Sequence, residues 1–352
     1  MLGGKVYGYA LPGFDLSLYK IANLKESLSG ELISDIRDID KLKNFIKEVN
    51  PDYIIHMAAQ PIVLTSYELP RDTYEINVMG TVNLLEACRN FYGNIRAILN
   101  VTTDKVYENN DKKGYMFVET DKLCGYDPYA NSKSCSELVT YSYRNSFFKN
   151  MNISISTARA GNVIAAGDIS EYRIIPDCYR AVKDKKNVLI RNPYSIRPYQ
   201  YVMEPLIMYL NILLKSEDRN FEGHYNVGPD KESCINTEKL VKDFFDSWNS
   251  NNKKFDEIDK KFDCFEGFEK KITSSYEVSK DSENLNKNHE AKFLQIDNSL
   301  IKKVFSYKPL FNIEEAIYLT AKGYKLLEVG NINKNRDILT KSIEFALDKL
   351  VK

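Results

Sequence analysis

Tyr129 and Lys133 stand four residues apart in the run Asp127-Pro128-Tyr129-Ala130-Asn131-Ser132-Lys133. On a helix that spacing puts both side chains on one face. An ammonium held near a phenol favours the phenolate and lowers its pKa from about 10 towards the range of a working general base. The chemistry on offer is removal of a proton from an alcohol. The spacing by itself is common on helix surfaces, so its meaning depends on what the chain brings beside it.

Several apolar runs end in polar or small residues that could meet that pair. Ile95 to Thr102 reads as a buried strand closing on Thr103, Asp104 and Lys105. Asp52 to His56 reads as a buried parallel strand, followed by the small residues Ala58 and Ala59, against which a cofactor could lie. Ligands gather at such carboxyl ends in parallel sheets. Residues 73 to 90 read as one helix carrying Asn77 and Thr81 on an otherwise apolar pattern. Asn152 to Arg159 alternates as a strand does and leads into Ala160-Gly161-Asn162-Val163-Ile164. Arg173 precedes a further helix with Pro176 in its first turn. Arg191, Arg197 and Tyr199 lie in two short strands; a planar guanidinium suits a diphosphate because its fork donates bidentately.

This order of motifs resembles the extended short-chain dehydrogenase/reductases and, more narrowly, the CDP-glucose 4,6-dehydratases. The marks are His56-Met57-Ala58-Ala59-Gln60-Pro61, Thr103 to Asn109, Arg159 to Ile164 and Arg191 to Gln200, spread over roughly residues 5 to 325. Related dTDP-glucose dehydratases carry Glu where Lys105 stands, whereas CDP-glucose dehydratases carry Lys. The resemblance implies a doubly wound, Rossmann-like α/β fold with a smaller nucleotide-sugar lobe. It implies NAD as cofactor, bound by Asp35, Ile36, Ala58, Ala59, Asn77, Tyr129 and Lys133. Asn162, Arg173, Arg191, Arg197 and Tyr199 are the implied substrate contacts. The implied reaction oxidises the sugar at C4, eliminates water across C5 and C6 and returns the hydride to C6. In it Tyr129, assisted by Lys133, is the base, Thr103 binds the 4-oxygen, Asp104 protonates the leaving hydroxyl and Lys105 assists the C5 proton step. The place implied is deoxysugar and O-antigen synthesis, and the implied partners are CDP-glucose and a second copy of the chain. Another nucleotide-sugar dehydratase or epimerase, a truncated non-catalytic member and an ordinary NAD-dependent alcohol dehydrogenase remain open alternatives.

One departure from that pattern lies at the start. Lys5 to Leu11 reads as a strand, preceded only by Met1-Leu2-Gly3-Gly4. A family member would have a first strand, a Gly-rich turn and a helix before it, roughly 25 to 30 residues. The expectation is an N-terminally shortened nucleotide-binding domain over 1–165, joined by segments around 195–230. A substrate lobe over 166–330 and an extra amphipathic helix over 331–352 complete it.

Composition fits one large α/β domain with a second lobe. A length of 352 residues exceeds one ordinary core, and 43% hydrophobic content suffices to pack it. Basic and acidic residues balance, 49 against 49, so no general field points to nucleic acid or an anionic membrane. The apolar stretches are too short to span a bilayer, and no signal peptide is read, so a cytoplasmic protein is expected. The six cysteines are scattered and read as free thiols; the three histidines are far apart in sequence, so no metal site is expected. Residues 249 to 290 are strongly polar and read as a solvated insertion.

Overall fold

The structure, a computed structural model, describes residues 3–91, 93–249, 253–262, 275–278, 290–329 and 332–351. Its centre is a four-stranded parallel sheet of β3 (Tyr53–His56), β4 (Ala97–Val101), β5 (Ser154–Ala160) and β9 (His224–Val227), in the order β3-β4-β5-β9. Helices α1 (Ile39–Val49), α2 (Gly80–Arg89) and α3 (Pro128–Ser146) lie on the side whose core holds Leu42, Ile46, Leu84, Leu85, Ile98 and Ile155. On the other side α5 (Met203–Lys215) and α7 (Ser299–Phe305) bury Met208, Ile212, Ile301 and Phe305 against Leu99, Ala158 and Tyr225. Two helical layers enclosing a parallel sheet make this the doubly wound α/β fold expected.

The strands β1 (Tyr7–Ala10) and β2 (Gly30–Ile33) pair parallel with each other. Among the described residues neither is hydrogen-bonded to the central sheet. β3 pairs only with β4 there, so it is an outer strand, and Ile55 is 37% exposed. That corrects the reading of 52–56 as a strand buried on both faces: an apolar run cannot distinguish a central strand from an edge one.

A second core belongs to the later lobe. It gathers α4 (Ile174–Asp184), β7 (Val188–Ile190), β8 (Ile196–Tyr201), α6 (Thr237–Asn249) and α8 (Ile313–Val329) around Cys178, Phe244, Trp248, Ile317 and Tyr324. β8 lies between β6 (Asn162–Ile164) and β10 (Cys234–Asn236). Phe255, Ile258 and Phe262 are buried in that core, and β11 (Tyr276–Val278) pairs with β7. Those parts of the 249–290 stretch are therefore built into the lobe rather than solvated; three apolar side chains among many charges were enough. The remainder of that stretch lies outside the described residues. The last helix, α9 (Ile332–Val351), reaches both ends of the chain: Asn335 and Arg336 donate to the carbonyls of Ile21 and Ala22, and Lys349 to that of Leu310.

The expected helix over 73–90 forms as one continuous run with a π segment inside it. Pro70–Tyr74 is α-helical, Glu75–Met79 opens into a π turn, and α2 follows. The π turn swings Asn77 inward, a distortion often found at functional sites. Gly80 then lets α2 close on the β2 end of the fold, since a Cβ there would sit 2.8 Å from Cγ2 of Ile36.

Helix α3 starts where Asp127 accepts from the Ala130 N–H at 2.9 Å, with a proline in the first turn. Its buried face is polar, carrying Ser132, Lys133, Ser136, Glu137 and Thr140. Asn100 of β4 donates to Ser136 and Thr140 at 2.9 and 2.8 Å. Glu137 forms an ion pair with Arg159 of β5 at 2.9 Å, both side chains at most 2% exposed. Thr102 and Thr157 also donate to that carboxylate. Burial pushes the Glu137 carboxyl up, but Arg159 and the two threonine hydroxyls outweigh it and hold it below the usual range. Removing one partner leaves the other charged and dry. Glu137→Ala is accordingly expected to lower unfolding stability in urea by about 3–5 kcal/mol, with the double change Glu137→Leu, Arg159→Met losing clearly less than Glu137→Ala alone.

Candidate active site

The carboxyl end of β4 delivers Thr102 and Thr103, and the chain then tightens into a single turn over Asp104–Val106. The first turns of α3 bring Tyr129 and Lys133 to the same place. Tyr129 is anchored by its own backbone N–H, which donates to Ser66 Oγ at 3.1 Å, and its hydroxyl lies beside the Thr103 side chain. Thr103 Oγ1 also donates to Asp104 Oδ1 at 3.0 Å. Lys105 Nζ reaches the same oxygen at 3.1 Å and Asn162 Oδ1 at 3.4 Å. The other Asp104 oxygen, Oδ2, is buried without a hydrogen-bond partner. The structure thus brings together Tyr129, Lys133, Thr103, Asp104, Lys105 and Asn162.

Electrostatics departs from the expectation for the Tyr-Lys pair. Burial pushes the Tyr129 phenol up to about 12, with the neighbouring Thr103 side chain pulling the other way. Burial draws Lys133 down to about 8, with Glu137 pulling the other way. The Lys133 ammonium donates to the Val101 carbonyl at 3.1 Å rather than towards the phenol, so it does not lower the tyrosine here. Both groups are held nearer their neutral forms because burial disfavours their charged forms.

The other expected contacts divide. Arg173 is close enough for its charge to act on the Tyr129 phenol, and it pairs with Asp168 at 3.2 Å. Arg191 is exposed beyond β7. Arg197 is not free to hold a diphosphate: it is buried and donates to the carbonyls of Ile196 and Ala291 and to Glu290, tying residues 290–292 to β8. Tyr199 is buried in the core of the second lobe. Their types suited the substrate, but their partners lie far away in sequence.

On the cofactor side Asp35 is held by Arg37, Nη2 to Oδ2 at 2.7 Å, and that hydrogen bonding keeps its carboxyl below the usual range. Ile36 is a core residue packed on Gly80. Ala58 and Ala59 are half-buried at the end of β3. Asn77 is fully engaged: its oxygen accepts from Gln60 N, and its amide donates to Gln60 O and Ser132 Oγ. It fastens the loop after β3 to α3, a positioning role in place of the expected cofactor contact. Glu137, Ser66 and Gln60 were missed. Only Glu137 left a signal, as the next member after Tyr129 and Lys133 of a row spaced by four.

A family model for GDP-mannose 4,6 dehydratase matches residues 17–320. The CDP-glucose 4,6-dehydratase of Salmonella typhimurium is 44% identical over 256 residues, which cover 70% of this chain and 70% of that protein. The dTDP-D-glucose 4,6-dehydratase of Dictyostelium discoideum is 28% identical over 208 residues, 56% of this chain and 46% of that protein. Among solved structures, the dTDP-glucose 4,6-dehydratase of Bacillus anthracis in complex with NAD shares the fold. Its TM-score is 0.69 over 91% of this chain and 88% of that chain, at 18% identity.

The dryness of the pair is measurable. With ε-13C-labelled lysine, two resonances, those of Lys133 and Lys325, are expected to titrate near pH 8, cationic below and neutral above, and the Lys133 one is identified as the one missing in Lys133→Met. A spectrum in which every lysine titrates above pH 10 would contradict the burial of Lys133.

Proposed function

The chain belongs to the GDP-mannose 4,6 dehydratase family, and on that footing we propose that it converts CDP-glucose to CDP-4-keto-6-deoxyglucose, a step of deoxysugar synthesis. The observation that carries this reading is Asp104. Its buried Oδ2 has no partner, while Oδ1 is held by Thr103 and Lys105 beside the tyrosine. An oxidation site with a free carboxyl oxygen next to it suits elimination; an epimerase needs no acid for a leaving hydroxyl. The choice of CDP-glucose rests on the 44% identity to a dehydratase of that name and on the Lys at 105.

The residues fit NAD at its nicotinamide end. Lys133 uses one N–H on Val101, leaving two for ribose hydroxyls. Ala58 and Ala59 add little bulk where the cofactor would lie. No Gly-x-x-Gly-x-x-Gly turn occurs among the 352 residues, so the pyrophosphate has no such cradle in them. Bound beside Lys133 and the small residues Ala58 and Ala59, NAD would supply a reversible hydride acceptor for C4 and C6. Tyr129 takes the proton of the 4-hydroxyl, and Thr103 hydrogen-bonds that oxygen as its charge develops. The ketone at C4 acidifies the C5 hydrogen, whose departure Lys105 assists. Asp104 hands a proton from Oδ2 to the departing C6 hydroxyl, which leaves as water. Arg173 and Asn162 are the remaining polar groups placed to hold the sugar nucleotide.

A homodimer through α2 and α3 is part of this proposal. Leu138 and Tyr141, one turn apart on α3, are 54% and 55% exposed, and Met79 just before α2 is 49% exposed. Sedimentation of Leu138→Glu, Tyr141→Ser is expected to show monomer where the native chain is dimeric; an unaltered dimer would place the interface elsewhere.

Activity tests the site. Tyr129→Phe is expected to lower kcat on CDP-glucose by about 100-fold or more, and Asp104→Asn by a similar factor with little change in KM. Mass spectrometry of the product follows the loss of water. A Tyr129→Phe protein with undiminished kcat would overturn the assignment.

A further inference from the structure

Roughly 22 Å along α3 from Tyr129, a second polar place is built. Arg144, Lys149, Arg219 and His224 line a cavity of about 410 Å³, with Asn145 and Glu222 in its wall. The chain as a whole is neutral, so this is a local concentration of positive charge and not part of a general field. Among the described residues, none of Arg144, Lys149 and Arg219 has a carboxylate within ion-pair distance.

The fold holds these cations in place while leaving donors to spare. The Arg144 guanidinium lies over the Tyr141 ring, 5.6 Å from its centroid, and that ring is 6.5 Å from the His224 ring. Arg219 Nη2 donates to the Phe148 carbonyl at 3.4 Å. Glu222 is the acid in the wall, and its Oε1 already accepts from the Ile155 N–H at 2.7 Å. Burial draws His224 down to about 4, so at neutral pH its ring is uncharged and can donate at one nitrogen and accept at the other.

We propose that this cavity binds a small phosphate monoester at a site separate from the active site. Two guanidinium forks match phosphate oxygens bidentately, and Lys149 adds a point charge. Glu222 offsets only part of that charge. The volume suits one small molecule and lies at the lower end of ordinary ligand sites. His224 and Asn145 can meet the hydroxyls or ring of the organic part. An occupant would fasten the last turn of α3 to the start of β9, on the helix that carries Tyr129 and Lys133.

The test uses the full chain and three probes: inorganic phosphate, ribose 5-phosphate and ribose. With three histidines in the chain, the ring resonance of His224 can be assigned from His224→Gln. Both phosphates are expected to shift that resonance saturably, ribose 5-phosphate at the lower concentration, and ribose to leave it in place. Shifts of equal midpoint would assign the site to free phosphate and overturn the monoester reading. Arg144→Gln, Arg219→Gln is expected to weaken calorimetric binding of ribose 5-phosphate at least tenfold, with kcat on CDP-glucose at phosphate-free conditions unchanged. A His224 resonance that no phosphate moves, or binding that survives the double change in a folded protein, overturns the proposal.

Discussion

A charge pair sealed in the interior sets the position of everything the chemistry needs. Arg159 reaches from β5 to Glu137 of α3, and Glu137 in turn receives hydroxyls from β4 and β5. Arg159 also donates to the Tyr107 hydroxyl and to the Glu119 carbonyl, so the loop after Lys105 is drawn into the same network. Such a pair gives little net stability, because desolvation consumes most of the attraction. Its effect is geometric. A helix with an apolar inner face could slide or rotate against the sheet at small cost. One whose inner face carries Ser136, Glu137 and Thr140 has one register in which those three side chains meet their partners on α2, β4 and β5. Tyr129 and Lys133 sit on that helix, two turns before Glu137 and one, and Thr103 to Lys105 sit on the strand end it is bolted to.

The same dryness that fixes the geometry works against the charges that catalysis uses. Tyr129 is pushed up to about 12 and Lys133 drawn down to about 8. At neutral pH that leaves a neutral phenol beside an ammonium close to its titration point. Ligand hydroxyls entering between Lys133, Tyr129 and Thr103 would restore the hydrogen bonds that burial has removed, so ionisation of the tyrosine is coupled to binding. Water would serve the tyrosine less well, since it screens the attraction on which proton transfer depends.

Much of the scaffold was legible from apolar pattern. The alternation of Asn152 to Arg159 became β5 over Ser154–Ala160, and the run from Ile95 became β4. That these candidate residues would meet was legible too, because Tyr129, Lys133 and Thr103 to Lys105 are defined by residue type and close spacing. What failed did so for want of three-dimensional partners. Arg197 looked like a diphosphate ligand until Glu290 and Ala291 came to meet it. Asn77 looked like a cofactor contact until a π turn, which no periodicity announces, aimed it at Gln60 and Ser132. The polar inner face of α3 was hidden for the opposite reason: buried serines and threonines read as a surface until their partners on β4 and β5 are known.

The central claim is that one site oxidises, dehydrates and reduces a single sugar without releasing the hydride. CDP-glucose carrying deuterium at C4 tests it directly. The account predicts that the 4-keto-6-deoxy product retains the label, now at C6, with no net consumption of NAD. Product lacking deuterium at C6, or label found in cofactor released to solution, would contradict it.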